Sequence, residues 1–478
     1  MCFEHESVWA TDWIFIRLCV NMRVCHVYLI KTLQIMLKKI PPQPQLEMFK
    51  TVLTSFINPE QELCLLAKKI DWDSLEKEFA PLYGTVGRPS IPIRTIVGLL
   101  LLKQMYNMGD ETVVERYLEN PYWQHFCGEV YFQYRLPFDP SDFVHFRHRI
   151  GKEGMEKIFK QSIDLFGEDM IRKEVREVRV DTTVQEKNIT FPTDRRLYEK
   201  VIEHCKRIAN AKGVKLKRTY TREIKKLRYQ LRFARKPKNF KHLMRTQKKL
   251  HRIAIKIYSD LVTQLNPMPT KDFEKFNVLY RVLTQQRDDT NKVYSIHEPE
   301  VLCIAKGKEH KPYEFGNKSS FAYTRKTGII VGAMAIEGNM FDGHTLAPQL
   351  EQVKGFTQGK IRKAIVDRGY RGRQKIGMTE VVMPNATRKE SYYMKKQREA
   401  RCRSRAGIEG LISHLKHDHR LLRNYLKGTA GDQINTLLAA AAYNMRKWMR
   451  LKREEILFFI FRWYYQALSF ATVNMQSM

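Results

Sequence analysis

Arg405-Ala-Gly-Ile-Glu409-Gly-Leu-Ile-Ser-His-Leu-Lys416 reads as one amphipathic helical window. Ile412 and Leu415 supply an apolar side, Arg405 lies four residues before Glu409, and Lys416 falls two turns after it on the same face. Upstream, Lys363-Ala-Ile-Val-Asp367-Arg-Gly-Tyr370-Arg371-Gly372 is a short apolar strand that delivers an acid into a turn. That turn carries two bases, an aromatic and two glycines, a composition suited to close approach of a backbone or ligand. Further upstream, Val175-Arg-Glu-Val-Arg-Val180-Asp181 interleaves apolar and polar residues as a half-buried strand does and brings Asp181 to its end. A mixed α/β fold follows, with acids at strand ends and on a facing helix.

Three carboxylates so placed match two-metal phosphoryl chemistry. Hard oxygen ligands hold two divalent ions about 4 Å apart, one activating a water or a 3′-hydroxyl and one stabilising the leaving oxygen. Each acid also has a plainer reading. An acid after a strand is commonly a surface turn or a helix cap, and Glu409 is equally an exposed helical residue paired with Arg405. Asp367 is the hardest of the three to read that way, because of the turn around it.

The chain of 478 residues is long enough for two or three domains. Lys and Arg number 84 against 51 Asp and Glu, for a net charge of +33, which favours a polyanionic partner, with nucleic acid first among them. Eight scattered cysteines without a CxxC pair read as reduced thiols, neither a zinc site nor a disulfide framework. A cytoplasmic, nucleoid-associated location is expected. The apolar run from Ile456 to Phe470 is shorter than the roughly 20 residues of a membrane span and carries Arg462, so no membrane role is expected. No Gly-rich phosphate loop is present, which leaves ATP use without support.

Along the chain, residues 59–167 are helical. Ile93, Ile96, Val97, Leu100, Leu101 and Met105 form one buried face, a second helix starts near Asp110, and a third starts near Ser141 with Phe143, Phe146 and Ile150 on one side and Arg147, His148 and Arg149 as bases. A helix-turn-helix-like DNA-binding module and a plain helical packing domain both fit. Strands are expected at Val301–Ala305, Phe321–Tyr323, Ile329–Ile336 and Ile361–Val366. Between Arg195 and about Asp289 lies a helical insertion. Residues 206–256 hold twenty Lys or Arg and one acid, Glu223, while Leu250, Ile253, Ile257, Leu261 and Leu265 recur at helical spacing. The apolar stripe argues for packed helices with a DNA-facing surface over a disordered basic tail.

These motifs resemble the DDE transposases of bacterial insertion sequences, most closely the group named after insertion sequence five, over residues 36–449. The resemblance is carried by Val-Asp181-Thr-Thr, by Val-Asp367-Arg-Gly-Tyr-Arg-Gly, and by Arg405-x3-Glu409-x6-Lys416 followed by Asp418-His-Arg-Leu-Leu-Arg-Asn-Tyr-Leu-Lys-Gly428. It implies a ribonuclease-H-like core, a mixed sheet with flanking helices, here interrupted by the basic insertion and preceded by an all-α DNA-binding domain. It also implies Asp181, Asp367 and Glu409 as catalytic metal ligands, magnesium (with manganese as substitute), terminal inverted repeats and target DNA as partners, and a homo-oligomer on paired ends. Arg368, Arg371, Arg405 and Lys416 are the expected DNA contacts. Cys402 departs from the pattern, standing where the family has a tyrosine. His414, His417 and the Asn339–His344 turn with Asp342 are lesser candidates at the site's rim.

The expected division is an upstream extension at 1–35 with the natural start at Met36, a helical domain at 36–170, a catalytic core at 171–449 with its insertion at about 195–289, and a tail at 450–478. The functional expectation is a DNA transposase that nicks its element's ends and transfers 3′-hydroxyl strands. Two alternatives stay open at this point, a non-catalytic repressor derived from such an enzyme and a magnesium nuclease without strand transfer.

Overall fold

The structure is a computed structural model. It describes residues 51–476 except 85–89, 233–239, 267–269, 308, 310, 373, 385–390 and 404–406, and at 232, 240, 270, 271 and 459–476 the backbone alone. The expected extension at 1–35 therefore lies outside the described residues, as does the start at Met36. The chain forms two compact units, one of residues 1–167 with 441–478 and one of residues 168–440.

The first unit is helical: α1 (Glu62–Lys69), α2 (Trp72–Phe79), α3 (Ile93–Met105), α4 (Asp110–Glu119), α5 (Pro121–Phe126) and α6 (Asp142–Asp164). Side chains end or start them where the backbone needs it. Asp71 caps α2 by accepting from the Ser74 amide at 2.9 Å, and Asn120 caps α5 just before Pro121, which stops α4. α3 is buried nearly all round, so its expected apolar face is its whole surface. Within α6, Gly151 takes φ 57° and ψ −156°, a backbone open to glycine, and bends the run there. Phe143, Phe146 and Ile150 are buried as expected. Arg147 is not the exposed base that its neighbours suggested. It is buried and donates to both carboxylate oxygens of Asp110, at 3.1 and 2.9 Å, while Lys103 meets the same carboxylate at 2.6 Å. A buried guanidinium needs such a partner, and this one ties α3, α4 and α6 together.

The second unit opens with α7 (Glu168–Glu174) and β1 (Glu177–Lys187), then inserts α8 (Asp194–Ala211), α9 (Thr221–Arg232), α10 (Phe240–Gln264) and α11 (Thr270–Thr284). β2 (Leu302–Ala305), β3 (Tyr313–Thr324), β4 (Ile330–Ile336), α12 (Asp342–Thr357), β5 (Lys363–Ile365), β6 (Lys375–Ile376) and β7 (Thr379–Val382) follow. α13 (Tyr392–Arg403), α14 (Gly407–Asp418), β8 (Arg423–Asn424) and α15 (Gly428–Gln476) complete the chain, with α15 passing into the first unit's residues from Ala441. The four inserted helices bury a core of their own, in which Leu250, Ile253, Ile257 and Leu261 of the expected stripe meet Val201, Cys205, Leu227 and Phe276.

The mixed sheet runs β2-β3-β1-β5-β7-β6, with β4 also on β3 and β8 on β1. β1, β3 and β4 are antiparallel neighbours, while β5 and β8 join β1 in parallel and β7 joins β5 in parallel. Three antiparallel strands followed by parallel ones, with helices packed on them, make a mixed α/β core consistent with a ribonuclease-H-like domain. The sequence signals underestimate two strands. β3 starts at Tyr313 rather than Phe321, and β1 does not end at Asp181 but runs six residues further, because Thr182, Thr183 and Val184 are β-branched and pair with β3 as far as Glu186↔Gly316.

The far end of β1 is fixed by a buried charge. The Lys187 ammonium meets Asp432 at 2.9 Å and Glu298 at 3.0 Å and donates to the carbonyls of Leu426 and Gly428. Asp432 also accepts from Asn424 at 2.7 Å and from Asn317 at 2.5 Å, which leaves the charges fully bonded and locks β1, β3 and β8 to the start of α15.

Candidate active site

The parallel register of β1 and β5 builds the site. Glu177 pairs with Lys363 and Arg179 with Ile365, so two residues further on Asp367 comes level with Asp181. β5 has ended by then, and the Val366 amide bonds instead to Val382 of β7. The chain turns away from β1 at Asp367, whose Oδ1 accepts from the Gly369 amide at 2.8 Å and caps a tight turn over Arg368–Tyr370. Asp181 and Asp367 are both half-buried.

Tyr370 fills the space that the turn opens. It is 1% exposed, and its hydroxyl lies beside the Thr182 side chain without a well-aligned bond to it. Burial first, and then the charges of Asp181, Asp342 and Asp367, push its phenol well above the ordinary value, with the Thr182 side chain pulling the other way. Asp342, at the first turn of α12, is thus a fourth carboxylate of this corner. A Cβ built on Gly369 would lie 2.9 Å from Asp367 Oδ1 and 3.4 Å from Asp342 Oδ2. Lys318 of β3 meets Asp342 at 3.0 Å. The sequence marked the turn with Asp342 as a lesser candidate at the site's rim, on the strength of its place after the third antiparallel strand.

Glu409 arrives on α14, which packs on β1. Gly407 at its start lies against Arg179, whose Nη1 is 3.6 Å from where a Cβ would stand, and Arg179 points to the same face of β1 as Asp181. Ile408, Leu411 and Leu415 are buried, which turns Glu409 outward. It faces a cleft of about 870 Å³ lined also by Asp367, Arg368, Arg398, Cys402 and Arg403. The helix α13 brings in the last three and buries none of its residues, a sign of a surface made for something other than packing. Arg398, missed in the sequence, also donates to the Pro384 carbonyl.

Of the expected DNA contacts, Arg368 lines the cleft and Arg371 is exposed beside the turn. Arg405 lies outside the described residues. Lys416 stands at the opposite end of α14, where burial and the nearby Lys306 charge lower its pKa while Glu314 and Glu186 act to raise it. His414 is exposed and meets Asp418 at 2.7 Å.

The donors gathered here are carboxylate oxygens, the ligand type that magnesium and manganese take. Among the described residues no three Asp, Glu, His or Cys side chains surround a single ion-sized point.

The mixed sheet thus carries acids on β1, after β5 and on α14. Residues 284–445 match a family described as a transposase DDE domain, and residues 51–149 match one described as a transposase domain. The first match takes in Asp342, Asp367 and Glu409 and leaves Asp181 outside. The chain is also 42% identical over 188 residues to an uncharacterised protein, ORF8 of the nfe locus of Rhizobium meliloti, covering 39% of this chain and 91% of that one. The chain belongs to the DDE transposases of insertion sequences, of the kind named for insertion sequences five and four. No solved structure matches it. Among the described residues no helix is long and apolar enough to cross a membrane.

Proposed function

We propose that this transposase binds the terminal inverted repeats of its element, nicks the element's ends and joins the freed 3′-hydroxyls to target DNA. The observation that carries this reading is the shared position of Asp367, level with Asp181 in the strand register and in one cleft with Glu409 among arginines. Asp181, Asp367 and Glu409 hold magnesium, which supplies activation of the attacking oxygen and stabilisation of the leaving one. Arg368, Arg398 and Arg403 hold the phosphodiester, because a guanidinium fork binds two phosphate oxygens at once and keeps its charge at any working pH. Arg371 and Arg405 extend that grip, and Lys416 meets DNA further along α14. The helical domain at 36–170 binds the repeats, the core at 171–449 carries the chemistry, and two ends require a homo-oligomer.

The test is a transposition assay in cells, with the gene supplied beside a marked element carrying its own flanking DNA, run in parallel with in vitro nicking of labelled end duplex. Asp181→Asn, Asp367→Asn and Glu409→Gln are expected to abolish nicking and insertion while end binding persists. Nicking by Asp367→Asn at the parental rate refutes the assignment. Nicking by the parent without any insertions favours a nuclease.

A further inference from the structure

The insertion carries a feature that neither the catalytic triad nor net charge explains. On α10, Lys241, Arg245, Lys248, Arg252 and Lys256 are all exposed and fall within an arc of about 80° at 100° per residue. The row is about 22 Å long at 1.5 Å per residue. Leu250, Ile253, Ala254, Ile257 and Leu261 occupy the opposite face and are buried in the insertion's own core. The stripe is therefore mounted on a packed helix and is not a solvated tail. Among the described residues none of these five side chains has an ion-pair partner, whereas the adjacent Lys249 is paired with Glu223 at 2.7 Å and Arg228 with Glu199 and Glu203. Acids in this region are spent off the stripe.

We propose that the outer face of α10 is a ridge that follows the phosphate backbone of duplex DNA. This rests on the transposase reading and specifies one surface for it. Charge complementarity selects a polyanion. The step of about 6 Å between successive bases on a helix face suits a row of phosphates. Long cations with no Asn or Gln among them hold the backbone without reading base edges. The stripe contains no aromatic platform, which single-strand binders use for stacking, so the duplex is the form it fits.

The experiment compares the full chain with a variant carrying Lys241→Gln, Arg245→Gln, Lys248→Gln and Arg252→Gln. Both are titrated onto a labelled 30-base-pair mixed-sequence DNA duplex by fluorescence anisotropy across a range of salt. Four lost phosphate contacts lower the slope of log affinity against log salt by about 3 to 4, with affinity down at least about tenfold near 0.1 M salt. A control of equal charge change, Lys326→Gln with Lys354→Gln, Lys360→Gln and Arg362→Gln, is expected to keep most of the slope. Thermal melting checks that both variants fold. An unchanged slope in the α10 variant, or an equal loss in the control, overturns the ridge while the transposase reading stands. Tighter parental binding to single-stranded DNA or to an RNA duplex of the same sequence overturns the choice of partner. A parent that binds no duplex, its own element ends included, overturns both this ridge and the function on which it rests.

Discussion

The parallel register of β1 and β5, from Glu177↔Lys363 to Arg179↔Ile365, carried on by two residues sets Asp367 level with Asp181 just past the end of β5. Tyr370 fills the space that the turn opens, with its hydroxyl among the carboxylates. With its pKa raised, the phenol stays a hydrogen-bond donor throughout the neutral range. Tyr370→Phe removes a hydroxyl whose contact with Thr182 is not well aligned, so melting is expected to stay within about 1 kcal/mol of the parent. On the proposed function the hydroxyl bonds to one of these carboxylates once the ion is held, and outer groups of that kind are worth about 10- to 100-fold in affinity or activity. The magnesium concentration for half-maximal nicking should rise by that order. A magnesium titration unchanged in the variant removes Tyr370 from the site.

At Gly316 the backbone of β1 leaves no room for a side chain on β3. A Cβ there would stand 2.0 Å from the Gln185 carbonyl oxygen and 2.9 Å from Glu186 Cα, both backbone atoms that cannot swing aside. Gly316→Ala forces the ladder apart at its Glu186↔Gly316 pair, next to the buried Lys187. A loss of roughly 3 kcal/mol or more is expected, at the upper end of overpacking costs. Denaturant unfolding measures it, and a variant as stable as the parent contradicts the close approach.

How far the sequence is legible depends on what each signal measures. Periodicity and apolar runs find α3, β4 and α14, and the acids are found the same way, Asp181 through the alternation in β1, Asp367 through the short apolar run of β5 and Glu409 through the apolar side of α14. β1 is read too short, since Asp181 looks like an ending when the β-branched residues after it continue the ladder. Tyr370 stands in the turn that the sequence singles out and Asp342 in one marked at the site's rim, whereas Arg398 comes to the site on a helix that buries none of its residues and leaves no local pattern. The bond of Arg147 to Asp110 and that of Lys187 to Asp432 are equally silent, because a buried ion pair and two surface charges are spelled with the same residues.

Cys402 offers a footprint of the cleft. It is partly exposed there, whereas Cys64, Cys127 and Cys205 are buried, and burial pushes the Cys205 thiol up to about 12. Alkylation under native conditions is expected at Cys402 well before those three, since the thiolate is the reactive form and needs access. Bound end duplex should slow labelling at Cys402, read by mass spectrometry, and leave Cys303 unaffected. Equal labelling with and without DNA moves the DNA path away from this cleft.

Acid sensitivity in the helical unit should trace to Asp110. Burial pushes its carboxyl up, but the bonds from Arg147 and the charge of Lys103 outweigh that and hold it below the ordinary value. A carboxyl with a depressed folded pKa contributes stability that is fully present above its unfolded value, near 3.9, and is lost as pH falls through the folded one. Melting followed from pH 6 down to pH 3 should therefore show the parent losing stability at the acid end. Asp110→Asn abolishes that part of the pH dependence and leaves Arg147 and Lys103 buried without their anion, at a cost of roughly 3–5 kcal/mol at neutral pH. The gap between parent and variant should narrow as the solution is acidified. A gap that stays constant from neutral to acid pH would show that Asp110 acts through packing and not through its charge.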